Sequence, residues 1–382
     1  MRITFLTWRD TGHPDGGGSE VYVEQIARRL AAHGHQVTIR CARYSGSPAE
    51  EYVDGVRLVR RGRRLTVYPW GMLHLLSRSG RAQDVIVDVI NGIPFGSPLV
   101  RRTDVVALVH HVHQRQWEII YPGLLGRLGW LLESRLTPWL YRRVPHVTVS
   151  EASRRDLEGL GIPRGAIAVV RNGLSPTARQ PAAPKSATAR LVVLSRLVPH
   201  KQIEHALAAV AVLAADFPEL HLDVLGSGWW HDELVEAGRR EAVQDRVTFH
   251  GRVDDTERDR ILARAWLALL PSAKEGWGLA VLEAAAQGTP TVGYRGAGGL
   301  DESIHDGQTG LLVDGPGQLS EATASLLRDR PRRERMARAA REYAEEFDWE
   351  TTATAFAETV QQLRSARAVD QDGLVRRVRR RR

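Results

Sequence analysis

Glu275 and Glu283 bracket the seven residues inside EGWGLAVLE, and two carboxylates at that spacing can do more than one kind of chemistry. An ionised carboxylate accepts from two hydroxyls at once, so each could hold a diol such as a ribose or one edge of a sugar. An acid pair also suggests glycoside hydrolysis, which needs the two groups about 5–10 Å apart across the scissile bond. Gly276, Trp277 and Gly278 interrupt the apolar pattern, which puts Glu275 in a loop and starts a helix near Gly278. A helix start offers unpaired N–H groups and a positive dipole end, suited to phosphate. Glu283 falls in the second turn, at the edge of an apolar stripe, where its alternative is to reach solvent or an arginine.

The cations are the next candidates. Only three of the 53 basic residues are lysines: Lys185, Lys201 and Lys274. Arg196 and Lys201, in SRLVPHK, leave an apolar run and enter a helix. A guanidinium and an ammonium there can clamp a diphosphate, or be an ordinary surface pair. Fixed cations and helix N–H groups can stabilise a departing diphosphate without a metal. No Asp-x-Asp stands on a loop to hold magnesium, and Asp254–Asp255 reads as the N-cap of the next helix. His110, His111 and His113 suggest zinc, but no fourth ligand is evident and Cys41 is remote in sequence. Trp117, a little further on, suits an acceptor pocket or plain core. Gly17 and Gly18 would let a loop approach sugar or phosphate closely, or simply make a tight strand–helix connection.

The elements that must hold these residues repeat a strand–helix alternation. RITFLT, a glycine loop, the helical period of SEVYVEQIARRLAAHG and the run HQVTIRCA open a doubly wound α/β unit, with Ser19 expected as N-cap and Gly34 as the stop. Further strands are expected at 84–90, 104–111, 146–150 and in AIAVVRNG. LSPTARQPAAPKSATA, rich in Pro, Ala and Ser, reads as a linker. After it the alternation restarts at RLVVLSRL and runs to TPTVGY. The expected domains are 1–174, a linker 175–189, a second domain 190–346, a last helix at about 347–366 that returns to the first domain with Trp349 as anchor, and a basic end 367–382.

Composition narrows the class. With 382 residues, 43% of them hydrophobic, the chain can bury two cores. No apolar run approaches the roughly 18 residues of a membrane span. The start MRITFLTWRD reads as a first strand, not a signal peptide. A single cysteine, Cys41, excludes an intrachain disulfide and fits a reducing cytoplasm. The net charge is +8, and RRVRRRR from Arg376 is either a disordered end or a segment attracted to anionic headgroups. Nucleic acid is not an expected partner, because no recognised module or aromatic–basic interleaving is present.

E-x7-E ahead of a Gly-Thr-Pro-Thr-Val turn resembles the retaining nucleotide-sugar glycosyltransferases of family 4, of actinobacterial type. SRLVPHK resembles that family's Arg-Leu-x-x-x-Lys signature, LDVLGSG its glycine turn at Gly226, VTFHGRV its base-reading loop, and GAGGLDESIHDGQTGLLV the stretch after E-x7-E. GGSE at Gly17–Glu20 and AHGHQV match its first unit, so the likeness runs from about residue 2 to 365. The resemblance implies the α/β GT-B fold: two facing Rossmann-like domains, a central cleft and a C-terminal crossover helix. It implies a metal-independent hexosyltransferase with no cofactor, moving a sugar with retention from a UDP- or GDP-sugar to an unidentified hydroxyl acceptor, lipid-linked acceptors included. Glu275 would hold donor-sugar hydroxyls, Glu283 the ribose, and Arg196 and Lys201 the diphosphate. The N–H groups around Gly276, Trp277, Gly278 and Leu279 would contact sugar or phosphate, and the backbone near Arg252 and Val253 the base. His110 would face the donor sugar, and His111, His113 and Trp117 the acceptor side. The implied location is cytoplasmic, with a peripheral position on the inner face of the membrane as the variant that the basic end favours.

The chain departs from the family pattern at Gln202, where glycine is frequent, at Trp229–Trp230, where proline is, and at Trp277, which replaces phenylalanine and would keep an aromatic wall. Alternatives within the fold are a sugar epimerase, a phosphorylase using Lys274, or a non-catalytic nucleotide-sugar-binding protein. An NAD-dependent oxidoreductase needs G-x-G-x-x-G, and the third glycine is missing after Gly228.

Overall fold

The computed structural model describes residues 1–101, 105–121, 123–175 and 181–362. They form two compact units. One comprises Met1–His113, Arg127–Arg171 and the chain from Trp349; the other comprises Gln114–Gly126 and Asn172–Asp348.

The first unit is built on an eight-stranded sheet. Its strands are β1 (Arg2–Leu6), β2 (Gln36–Cys41), β3 (Glu50–Val53), β4 (Val56–Arg60), β5 (Val85–Ile90), β6 (Val105–Val109), β7 (His146–Thr148) and β8 (Ile167–Val169). Their order is β3-β4-β2-β1-β5-β6-β7-β8, parallel except for β3 on β4. All residues of β5 and β6 are buried, as a parallel sheet covered on both faces requires. The helix Gly18–Ala32 covers one face with Tyr22, Val23, Ile26, Ala27 and Leu30. Its N-cap is Gly17, not Ser19: the Glu20 carboxylate turns back to accept from the Gly17 N–H at 2.7 Å, and the Ser19 hydroxyl donates to Glu20. Gly34 does stop it, at φ +83.

Sequence reading missed three parts of this unit. The β3–β4 hairpin has a signal in Asp54–Gly55, whose φ values of +48 and +79 make the tight turn. The helix Val67–Leu76 and the helical run from Leu124 to Tyr141 carry no clean apolar stripe facing inward. A helix begins at Trp349 and runs through 362; Trp349 packs edge-on to Tyr22 at 5.9 Å, and Phe356 stacks on Phe5 at 6.1 Å.

The second unit carries β9 (Arg190–Leu194), β10 (His221–Leu225), β11 (Val247–Gly251), β12 (Leu267–Leu270), β13 (Thr291–Tyr294) and β14 (Gly310–Val313). The order is β11-β10-β9-β12-β13-β14, all parallel. Part of the expected linker is tied to this unit. The Lys185 ammonium donates to Ala265 O at 2.7 Å and Thr289 Oγ1 at 2.5 Å, and the Ala182 N–H to Gln287 Oε1 at 2.8 Å. Both units are Rossmann-like α/β layers. In each, the strand order reverses once, at β1/β5 and at β9/β12. Connections leave for opposite faces there and open a crevice at the carboxyl ends of the strands.

Candidate active site

In the second unit the crevice beside β9 and β12 gathers most of the singled-out residues. β9 ends at Leu194, and the chain turns through Ser195–Val198 into the short 3-10 turn Pro199–Lys201. The glycine turn after β10 is pressed against this segment. A Cβ on Gly226, whose φ is +128, would stand 1.9 Å from Ser195 O, and one on Gly228 2.1 Å from Leu197 O. Only glycine fits both places, so the turn fixes the backbone on either side of Arg196. The Leu197 N–H donates to Ser227 O, and the Gly226 N–H to Gly251 O at 2.8 Å. The latter bond ties the loop carrying Arg252 and Val253 to the same edge.

Lys201 and Glu275 meet here. Nζ lies 2.5 Å from Oε1, and both side chains are largely buried. The backbone of Glu275 is held from two sides: its N–H donates to Ala297 O at 2.8 Å and its C=O accepts from Gly299 at 3.0 Å. A Cβ on Gly298 would stand 2.7 Å from that carbonyl, so the glycines of GAGG allow the two loops to lie together. The Ala273 N–H donates to His200 O at 2.9 Å and joins the loop after β12 to the lysine turn. The helix Gln114–Ile120, which carries Trp117, lies beside that turn; Trp117 itself stacks with Tyr121 at 5.8 Å. Trp117 therefore groups with the second unit, whereas His111 and His113 belong to the first.

Gly278, at φ +95, caps the helix Leu279–Ala286. Trp277 does not form an exposed aromatic wall. Its indole is 3% exposed and packs on Phe347 at 5.7 Å, so what it can turn to a ligand is backbone. Glu283 has the arginine partner that its position allowed: Arg258 Nη1 lies 3.1 Å from Oε1. Arg258 also reaches Asp255 and Asp259, each at 2.8 Å. Burial raises the Glu283 pKa, and Arg258 opposes that shift. Burial lowers the Arg258 pKa, but its three carboxylates outweigh it and raise it overall. Sequence reading missed Arg258, because an arginine three residues after Asp255 looks like any helix-surface pair. Asp254 is the N-cap of that helix, accepting from the Glu257 N–H at 2.8 Å.

In the first unit, Gly17 lies at φ −158, an extended conformation open to any residue, so backbone geometry does not demand glycine there. Glu20, three residues on, is buried beside Arg9 at 3.1 Å. His110 follows β6 and is 5% exposed, with its ring edge-on to Tyr22 at 5.1 Å. Burial pushes its pKa down to about 4, so the imidazole is neutral at pH 7. His111 and His113 rings stand 4.2 Å apart, and Glu133 Oε1 takes both the His113 N–H, at 3.0 Å, and its Nδ1, at 2.9 Å. Among the described residues, no three His, Cys, Asp or Glu side chains are grouped to hold a metal ion. No described helix is long and apolar enough to cross a membrane. The basic end from Arg376 lies outside the described residues.

Comparison with known proteins bears on the family and the fold. Residues 16–178 match the family described as Glycosyltransferase Family 4, and residues 175–343 that described as Glycosyl transferases group 1. A glycogen synthase of Mycobacterium tuberculosis is 31% identical over 94% of this chain and 94% of its own. A D-inositol 3-phosphate glycosyltransferase of Thermobispora bispora is 26% identical over 91% and 90%. Among solved structures, sucrose-phosphate synthase from Thermosynechococcus elongatus superposes with a TM-score of 0.80 at 21% identity, covering 96% of this chain and 99% of that one. Anabaena Alr3699/HepE in complex with UDP-glucose gives 0.72 at 19% identity, covering 95% and 100%.

Proposed function

Since the chain belongs to the family 4 glycosyltransferases, we propose that it is a hexosyltransferase moving a sugar from a UDP- or GDP-sugar to a hydroxyl acceptor, with retention and without a metal. The observation that carries this reading is the Lys201–Glu275 pair at the strand-order reversal of the second sheet, four residues ahead of a helix start. Lys201 and Arg196 take the diphosphate and stabilise its charge as the glycosidic bond breaks. Glu275 accepts from the sugar hydroxyls. The N–H groups from Gly276 to Leu279 lie at the positive end of a helix, the place for phosphate oxygens. Glu283, with one oxygen on Arg258, takes the ribose through the other. The backbone around Arg252 and Val253 faces the base. His110, neutral at pH 7, donates to or accepts from the donor sugar. The donor phosphate helps to remove the acceptor's proton as attack comes from the face of the leaving group, so no side-chain nucleophile is needed.

The acceptor is an alcohol, lipid-linked alcohols included, with His111, His113 and Trp117 on the acceptor side. The enzyme works in the cytoplasm, peripheral to the inner face of the membrane, with the basic end from Arg376 contributing attraction to anionic lipid. A panel of UDP-, GDP- and ADP-sugars tests the donor. UDP- or GDP-sugars should raise the melting temperature and release the nucleoside diphosphate by slow hydrolysis in the presence of a chelator. Stabilisation by NAD instead, or strict dependence on added magnesium, counts against the proposal.

A further inference from the structure

In the first unit, the helical run after Gly126 exposes a second apolar face. Helix Leu124–Leu131 continues through the π-turn Leu132–Leu136 into helix Thr137–Tyr141. Its buried row, at four-residue spacing, is Gly129, Glu133, Thr137 and Tyr141. Glu133 is engaged with His113, and the Thr137 hydroxyl donates to Leu132 O at 3.1 Å. Trp130 and Leu140 pack beside Tyr141 on the core, but four other large apolar side chains point the other way: Leu128 is 51% exposed, Leu131 55%, Leu136 50% and Trp139 64%. A surface helix that packs by a single apolar stripe leaves its outer face polar, and a cluster of exposed large apolar residues marks an interaction surface.

The charge on the same run selects the partner. Arg127, Arg135, Arg142 and Arg143 are exposed, and none of them is in an ion pair among the described residues. From Leu124 to Val144 the one carboxylate is Glu133, which points inward. A second copy of the chain would bring the same four cations to the contact, in a protein whose net charge is already +8. An anionic bilayer satisfies both features. Leucines and an amphipathic tryptophan enter the headgroup–acyl boundary while arginines stay with the phosphates.

We propose that the outer face of residues 127–143 is a docking surface for anionic phospholipid bilayers, lying in the plane of the interface. This deepens the peripheral contact proposed above and rests on a different part of the chain from the basic end.

The test is co-sedimentation of the full chain with vesicles containing phosphatidylglycerol, against pure phosphatidylcholine vesicles. Binding to the first, weak binding to the second and loss at high salt are expected. Leu131→Glu combined with Trp139→Glu should lower vesicle affinity by at least about tenfold. These side chains point outward, so the melting temperature should not change. Arg135→Glu combined with Arg142→Glu should act in the same direction without touching the apolar contacts, which keeps the test decisive if the first variant misfolds. Removing residues 376–382 should weaken binding less than either. Wild-type affinity in both double variants overturns the proposal. So does complete loss of binding on removal of 376–382 alone, or a lipid-free dimer that these substitutions dissociate. Sugar transfer to a soluble acceptor is measured in parallel, so failure of the transferase reading is seen separately.

Discussion

Lys201 Nζ lies 2.5 Å from Glu275 Oε1, across 74 residues of chain. The cation proposed for the diphosphate and the acid proposed for the sugar are each other's partners. A donor must share Lys201 with Glu275 or compete for it. The pair thus holds both groups at the crevice and limits how far either can swing.

Lys201→Ala should reduce transfer by roughly a thousandfold, the scale seen when one stabiliser of developing charge is removed. It also leaves a largely buried carboxylate unpaired, at a cost of about 3 kcal/mol. Glu275→Gln should impair transfer as strongly and destabilise less. Urea unfolding alongside steady-state kinetics separates the two effects. Wild-type-like turnover in either purified variant removes that residue from the site.

Glu283→Ala should weaken nucleotide binding by roughly ten- to a hundredfold, the loss of a charge-assisted bond to a diol. Arg258→Met is the sharper probe. Burial already raises the Glu283 pKa, and Arg258 opposes that rise. Without the arginine the pKa climbs further, so nucleotide affinity should fall at higher pH than in the wild type as the solution is acidified. A calorimetric titration across pH that shows the same profile for both proteins counts against the ribose role.

Gly226→Ala places a Cβ 1.9 Å from Ser195 O at a φ of +128 and should cost about 3 kcal/mol or more. Gln202→Gly should do the opposite. Gln202 sits at φ +49, a left-handed position that disfavours a side chain by about 1 kcal/mol. Denaturant midpoints at constant m-value measure both. Stabilisation by the alanine would falsify the steric account of the turn.

Acid should destabilise the fold between pH 6.5 and 4. Burial lowers the pKa of His110 and of His146 to about 4, from an ordinary value of 6.5. Between those values the unfolded chain binds protons that the folded one does not, so stability falls as pH drops through this window. The loss is about 3 kcal/mol for each histidine at the lower end. Burial lowers the His74 pKa to about 4 as well, so His146→Phe, which keeps the ring volume, should flatten part of the slope of melting temperature against pH. An unchanged slope assigns the acid sensitivity elsewhere.

Much of the site was legible before folding because its determinants are local. E-x7-E sets Glu275 in a loop and Glu283 one turn into a helix, since only the loop break at Gly276–Gly278 and the helical rise are involved. Close backbone approach was expected at Gly17 and Gly18, whereas the structure shows it at Gly226, Gly228, Gly278 and Gly298. The two α/β units were legible from the alternation of apolar runs. What escaped were elements whose signal is weak or reversed. The hairpin at Asp54–Gly55 is short, and the run from Leu124 to Tyr141 divides its large apolar residues between the core and the outside.

Sequence by itself determined most of the segments that become strands and helices and which residue types stand at the strand ends, because period and turn chemistry act over a few residues. Tertiary structure alone decided the pairings. Lys201 meets Glu275 because β9 and β12 are neighbours in the sheet, Glu283 meets Arg258 because their helices lie side by side, and His113 meets Glu133 because the helical run turns its polar row inward. Those contacts depend on which faces pack together. A side chain's partner, its burial and therefore its pKa are properties of the assembled layers, not of the neighbouring residues in the chain.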